Sequence, residues 1–312
     1  MSERRITVVG SLNIDVRLAV ARLPRSGETI AAHGLTSSVG GKGANQAAAA
    51  ARLGATVRMV GAVGTDASGS TVVDRLRREG VDVSAVDTVE GPTGTAVILW
   101  ERPESTIVID AGANAALDAE RVRGHAAALR SAGAVLCQLE TPASALDAVL
   151  ENAGGLTVLN PAPAPDHASR AMRGFDVLVP NRHELAALAG AASAPATVDD
   201  TAALAASLGL PGDVVVTLGG DGSLVLPEGG APFHVAAERV HPVDTTAAGD
   251  SFCAALAGAL LDGASLTDAA RWGNRVAAAT TTRDGAMEAL PLATELTPVP
   301  PSGTGRENKD TP

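Results

Sequence analysis

Short runs of Val, Ile and Leu alternate along the chain with segments whose apolar positions recur at helical spacing. ITVVG (6–10), TVRMVGAV (56–63), AVLCQLE (134–140), LTVLN (156–160), DVLVPN (176–181) and DVVVTLGG (213–220) have the length and β-branched content of buried strands. Helical segments separate them: one after Asn45, one near Val72 to Arg78, TPASALDAVLENAGG (141–155) with a Thr-Pro start and a Gly stop, and SLTDAARWGNRVAAATTT (265–282). This alternation predicts an α/β fold, a three-layer α/β/α sandwich around a mostly parallel central sheet. Two stretches break the rhythm. From Asn13 to about Ser38 and from Thr93 to Asp110, strand-like pieces (VRLAV, TAVILWE, STIVID) follow one another with turn residues and no helix between them. They predict a small β-sheet lid attached to the main body rather than a second independent domain. The expected organisation is one domain over residues 1–298 and a disordered tail over 299–312, where Pro, Gly and charge replace any apolar period.

Composition removes several function classes. With 312 residues, 46% of them hydrophobic, the chain can bury a large core, but aromatics make up only 2% and Tyr is absent, so a base-stacking platform lacks its material. A formal charge of -11 argues in the same direction against a nucleic-acid partner. No apolar run approaches the roughly 18 to 20 residues of a membrane helix, and MSERRITVVG lacks the apolar core of an export signal. The expectation is a cytoplasmic enzyme without a membrane partner. Cys137 and Cys253 stand far apart outside any CxxC pattern, which suits two buried free thiols. The six histidines form no ligand cluster, so any metal is expected to arrive with a substrate.

Two segments bear chemistry. In VGGKGANQAAAAARLG (39–54) glycines admit close approach of a ligand to the backbone, and Lys42 and Asn45 can bond its hydroxyls. The spacing is neither a Walker A loop nor a dinucleotide fingerprint, and a Gly-rich connector before a helix is the plain alternative. In VDTTAAGDSFCAALAGALL (243–261) a small-residue turn enters a helix, whose first amides form an anion site near Ala247 to Asp250. Asp250 reads either as a helix N-cap or as the general base beside that site, and both roles are compatible. A carboxylate next to an anion cradle is what phosphoryl transfer to an alcohol requires.

GGKGANQ (40–46) and DTTAAGDSF (244–252) resemble the two signatures of the ribokinase (PfkB-type) carbohydrate kinase family. GSLNID (10–15), AGANAAL (111–117), QLE (138–140), NPAPA (160–164), PNRHE (180–184) and TLGGDG (217–222) extend the resemblance, which runs from about Ile6 to Pro291. It implies ATP-dependent phosphorylation of D-ribose at the 5-hydroxyl, giving D-ribose 5-phosphate and ADP. A kinase for fructose, 2-keto-3-deoxygluconate, adenosine or pseudouridine is the alternative, and a silent sugar-binding regulator a further one. Nucleosides want apolar lid surface, of which the lid offers little beyond Trp100, so a small polyol sugar is expected.

The resemblance also implies roles for single residues. Asn13, Asp15, Gly41, Lys42, Asn45 and Glu140 match sugar-hydroxyl positions, and Asp250 matches the base, with Ala247, Ala248 and Gly249 as the backbone anion hole. Asn181 and Glu184 match residues near the nucleotide phosphates and Mg2+, Thr217, Gly219 and Gly222 match the nucleotide loop, and Asn274 matches a contact to adenine. Asp244 and Thr246, with the carbonyls of Thr280 and Gly285, match ligands of an activating K+. Ala289 stands where a serine hydroxyl is usual, so K+ activation is expected to be weakened unless Glu288 compensates. A homodimer joined through the lid is expected from the family and from the exposed strand edges.

Overall fold

In the computed structural model, which describes residues 4–101, 104–165 and 169–297, the apolar runs pair into two sheets. The strands are β1 (Arg5–Val9), β2 (Asn13–Ala19), β3 (Gly34–Gly40), β4 (Thr56–Gly64), β5 (Asp82–Val89), β6 (Gly94–Glu101), β7 (Glu104–Asp110), β8 (Ala134–Cys137), β9 (Leu156–Leu159), β10 (Val177–Leu178), β11 (Asp213–Thr217), β12 (Ser223–Leu226) and β13 (Phe233–Val235). The main sheet has the order β13-β12-β11-β10-β9-β8-β1-β4-β5. It is parallel from β11 to β5, and β12 and β13 extend one edge by antiparallel pairing.

The helices are α1 (Lys42–Arg52), α2 (Ala67–Arg78), α3 (Ala119–Gly124), α4 (Ala126–Arg130), α5 (Ser144–Asn152), α6 (Arg182–Leu188), α7 (Val198–Ser207), α8 (Ala248–Leu261) and α9 (Leu266–Thr281). Strand alternation divides the core between them. Ile6, Val8, Ala134 and Leu136 pack under α1, α2, α8 and α9, while Val9, Val135 and Cys137 pack under α3 to α7. The sandwich is therefore three layers, as the strand–helix alternation predicts. Both cysteines are buried and unpaired. Among the described residues no helix is long and apolar enough to cross a membrane. The expected tail lies outside the described residues.

The second sheet is the lid, in the order β3-β2-β6-β7, built from the two helix-free stretches. One of its strands, β3, has no counterpart among the strand-like runs. Its sequence GLTSSVG lacks apolar alternation because it is an edge strand exposed along most of its length. Helix α1 also starts earlier than its sequence suggests, at Lys42 rather than after Asn45, with Gly41 as a cap at φ 92° and no side-chain cap bond. That early start puts Lys42 and Asn45 on the first turn.

Close approach explains the next glycine. A Cβ on Gly43 would lie 2.7 Å from the backbone of Gly10 and Ser11, where α1 crosses the end of β1. Gly43→Ala should gain at most about 1 kcal/mol of helix propensity and lose about 1–3 kcal/mol to overpacking. A net fall in the thermal midpoint is expected, and an unchanged or raised midpoint would refute this packing account.

Candidate active site

A cavity of about 1100 Å³ lies between the lid and the C-terminal ends of the central strands. Period-two alternation along β2 sends Asn13, Asp15, Arg17 and Ala19 into it, with Ile98 and Trp100 from β6 and Ile107 and Ile109 from β7. The body contributes Gly41, Lys42, Asn45, Glu140, Asp244, Thr246, Ala247 and Asp250. The lid lining is thus more apolar than its sequence suggests. The isoleucines of β6 and β7 join Trp100 there, correcting the expectation of little apolar surface beyond it.

Asp250 is buried on the first turn of α8 and held from α1. Its Oδ2 accepts from Asn45 Nδ2 at 3.1 Å and its Oδ1 from Gln46 Nε2 at 3.2 Å, while Gln46 Oε1 accepts from Gln138 Nε2 at 2.6 Å. Glu140, just beyond β8, accepts from the Lys42 amide at 3.1 Å and from the Ser11 hydroxyl. Asn13 is fixed by Asn114, whose Nδ2 donates to its Oδ1 at 2.7 Å. Two oxygens in this set, Asp15 Oδ1 and Asn45 Oδ1, are buried without a hydrogen-bond partner. Both residues line the cavity, so a ligand rich in O–H donors matches them.

The charges are arranged to be costly without such a ligand. Burial, with Glu140, Asp250 and Glu288 adding repulsion, pushes the Asp15 carboxyl up to about 7. Burial likewise holds Asp250 above the usual carboxylate range, against the opposing pull of Lys42 and Asn45. Burial alone would lower the Lys42 ammonium, but Asp250, Glu140 and Glu184 outweigh it and hold its pKa above the ordinary lysine value.

A second cavity of about 200 Å³ is lined by Lys42, Asn160, Val179, Asn181, Glu184, Thr217, Thr245, Ala247, Gly249, Asp250 and Cys253. The two cavities share Lys42, Thr245, Ala247 and Asp250. Ala247 sits in the left-handed region at φ 60°, which costs an alanine about 1 kcal/mol or more and turns the chain into α8 beside this junction. The amides of Ala247, Gly249 and Asp250 have no backbone acceptor among the described residues, while that of Ala248 reaches the Thr245 carbonyl at 3.3 Å. Asn181 and Glu184 cap α6 reciprocally: Glu184 Oε2 accepts the Asn181 amide at 2.8 Å and Asn181 Oδ1 accepts the Glu184 amide at 2.8 Å. Burial raises the Glu184 carboxyl despite the Asn181 amide and Lys42.

Not every expected residue comes to the cavities. Gly219 and Gly222 lie in the turn between β11 and β12, at φ 61° and 96°, outside both linings. Asn274 also lies outside them. It is buried in α9, where its Nδ2 donates to the Val235 carbonyl at 3.0 Å, so its amide holds the end of β13 rather than an open site. The Thr280 hydroxyl faces inward, 2.9 Å from Ser251 Oγ and from the Val276 carbonyl. Ala289 is buried. Conversely, Ser11, Gln46, Asn114 and Gln138 position the site without having been singled out. All four stand inside the quoted motifs, so motif membership was their available signal.

A carboxylate wedged between a polar acceptor cavity under a lid and a helix-start anion cradle defines a phosphotransferase that acts on an alcohol. The chain belongs to the pfkB family of carbohydrate kinases, whose family model matches residues 3–293. It is 35% identical over 305 residues to the ribokinase of Schizosaccharomyces pombe, covering 93% of this chain and 96% of that protein. It is 36% identical to the ribokinase of Haemophilus influenzae, over 94% of this chain and 97% of the other. Among solved structures, Arabidopsis thaliana ribokinase complexed with ribose and ATP superposes with a TM-score of 0.81 at 32% identity, over 94% of this chain and 97% of that one.

Asp15 gives a two-sided prediction. Its folded pKa lies above its ordinary value of 3.8, so the folded state holds the extra proton between about pH 4 and 7 and stability is lost as pH rises through that window. Asp15→Asn removes the buried charge. It should raise the thermal midpoint at pH 8 by several degrees, corresponding to about 2 kcal/mol, while weakening sugar binding at least about tenfold. A lowered midpoint at pH 8 would show that Asp15 is not under this electrostatic load.

Proposed function

We propose that the chain transfers the γ-phosphoryl group of ATP to the 5-hydroxyl of D-ribose, releasing D-ribose 5-phosphate and ADP. The observation that supports it most directly is the position of Asp250, which borders both the lid cavity and the anion cradle. In this reading the sugar lies under the lid, its hydroxyls donating to Asp15, Asn45 and Glu140 and accepting from Lys42 and Asn13. Asp250 takes the proton of the attacking hydroxyl, and burial, which raises its basicity, suits it to that step. The open amides at Ala247 and Gly249, joined by that of Asp250 rather than the Ala248 amide, which is engaged by Thr245, stabilise charge on the transferred group. Lid closure keeps water from competing with the sugar.

The nucleotide side follows from the smaller cavity. Asn181, Thr217 and Glu184 face the phosphates, and the turn at Gly219 and Gly222, which follows Thr217 in the chain, takes the nucleoside end. Hard oxygen donors fit Mg2+, and Asn181 and Glu184 supply them on the cavity wall, so these two would hold it through retained waters. Held there, it would supply positive charge to the phosphate oxygens. A cytoplasmic homodimer completes the reading. Leu35, Val97 and Val108, outside the cavity lining, leave the lid with exposed apolar surface that a second lid can cover.

A nucleoside acceptor is the second reading, supported by Ile98, Ile107 and Ile109 on the cavity wall. An ADP-release assay across D-ribose, 2-deoxyribose, fructose, 2-keto-3-deoxygluconate, adenosine and pseudouridine decides between them. Ribose is expected to dominate, and dominance of a nucleoside would transfer the assignment to it. Binding without turnover of any of them would make the chain a silent sugar-binding protein.

Asp250→Asn should lower kcat with ribose by about 10³-fold while leaving ribose binding within a few-fold. Because the Asp250 pKa is raised, wild-type kcat should fall on acidification at a pH above the ordinary carboxylate range, and the variant's residual rate should lack that limb. Near-normal turnover in the variant would remove Asp250 from the role of base.

A further inference from the structure

The surroundings of Asp244 do not suit a free monovalent cation. Asp244 Oδ1 accepts the Thr246 amide at 2.9 Å and the Thr246 hydroxyl at 2.6 Å, and Oδ2 accepts the Gly285 amide at 3.3 Å and the Arg17 guanidinium at 3.4 Å. A carboxylate offers about four lone-pair positions, and these four donors occupy them. Two of the other expected ligands are also compromised. Thr280 turns its hydroxyl into the helix pair and its carbonyl accepts the Arg283 amide at 3.3 Å, while Ala289 has no side-chain oxygen to offer. Glu288 has part of its charge paired already, its Oε1 accepting from Arg75 at 2.9 Å.

A positive charge is nevertheless at the site, carried by a side chain. Arg17 stands on β2 of the lid, two residues past Asp15 and on the same cavity-lining face. Its guanidinium lies over the Trp100 ring at 3.6 Å from the centroid, and Trp100 comes from the neighbouring strand β6. This stacking holds the flat group in a fixed plane while its Nη1 spans from Asp244 to Asp284 Oδ1 at 3.3 Å. The two pairings differ in weight. Asp284 is 71% exposed, so solvent screens it, whereas the side chains of Arg17 and Asp244 are 20% and 15% exposed.

Asp244 is a junction. Its amide donates to the Thr281 carbonyl at 3.2 Å, its carboxylate holds Gly285, and through Thr246 it shapes the turn that delivers Ala247 to the anion cradle. Burial tends to raise its carboxyl, but the bonds from Thr246, the Gly285 amide and Arg17 outweigh that and keep it ionised below the ordinary range.

We propose that Arg17 is a tethered cation: its guanidinium replaces the free monovalent ion at Asp244, so the anion cradle is set by lid closure and turnover is independent of K+. Arg17 is a positioning residue in this account, acting through Asp244 on the Thr245–Ala247 turn. Opening the lid withdraws the charge and closing it restores the charge, which links sugar enclosure to completion of the phosphate site. The inference rests on the kinase reading above.

The test compares KCl with tetramethylammonium chloride at equal ionic strength, for wild type, Arg17→Ala and Arg17→Lys, reading ADP release and thermal midpoint together. Wild type is expected to change less than about twofold in kcat between the salts and to keep the same midpoint. Arg17→Ala should lose about tenfold in kcat with KM for sugar nearly unchanged, and Arg17→Lys should recover part of that loss. Several-fold acceleration of wild type by K+, with a K+-dependent rise in its midpoint, would overturn the proposal. So would a rise in sugar KM at constant kcat in Arg17→Ala, which would place Arg17 on the sugar itself. Should Arg17→Ala fail to fold, the wild-type salt comparison and Arg17→Lys decide. Absence of turnover in either salt would sink the kinase reading, and the melting comparison would still report whether Asp244 takes a free cation.

Discussion

Asp250 stays buried because α1 and α8 approach closely enough for Asn45 and Gln46 to donate to both its oxygens, with Lys42 supplying the nearby positive charge. An unpaired carboxylate at this depth would cost several kcal/mol, so the rest of the site must keep those donors in place. The small residues of both helices serve that end. Ala44, Ala47 and Ala48 on α1 and Ala254, Ala255 and Ala257 on α8 are all buried, and their size lets the two helices meet the end of β1 and β8 at short range. Gln138, at the end of β8, then orients Gln46 from behind. The Asp250 carboxylate is thus fixed by a chain of amides that spans three elements, and the Asn45 and Gln46 bonds partly offset the effect of burial on its pKa.

The lid adds the opposite ingredient, acceptors in want of donors. Asp15 faces Glu140 and Asp250 across the cavity, and Gly40 leaves room for it, since a Cβ there would fall 2.0 Å from Asp15 Oδ2. A polyhydroxylated ligand relieves this arrangement by donating to oxygens that nothing else satisfies. Arg17, one step further along the same strand face, carries positive charge toward the Asp244 loop. One strand therefore presents an acid to the cavity and a cation to the Asp244 loop. The cavity wall and the loop before α8 are joined through a strand only seven residues long.

Fold class and lid were legible in the chain because burial on one or both faces writes period-two and period-3.6 patterns directly into the sequence. β3 was not, since an exposed edge strand leaves no such record, and α1 begins before its apolar pattern because a positive-φ glycine, not a polar cap, starts it. The two signature motifs marked where Lys42, Asn45 and Asp250 would matter, as residue types whose chemistry suits phosphoryl transfer.

What the sequence could not express is which groups use up one another's bonding capacity. Asn274 matches a contact to adenine, and the fold commits its Nδ2 to the Val235 carbonyl. Asp244 looked open to an ion, and the fold fills its lone pairs with Thr246, Gly285 and an arginine 227 positions away. By itself the sequence determined the element types, the strand faces and the reactive residue kinds, because those follow from local periodicity and side-chain chemistry. Only the tertiary structure decided which of those side chains remain unsatisfied and face a cavity. Hydrogen-bond valence is settled between residues distant in the chain, and no local pattern records that outcome.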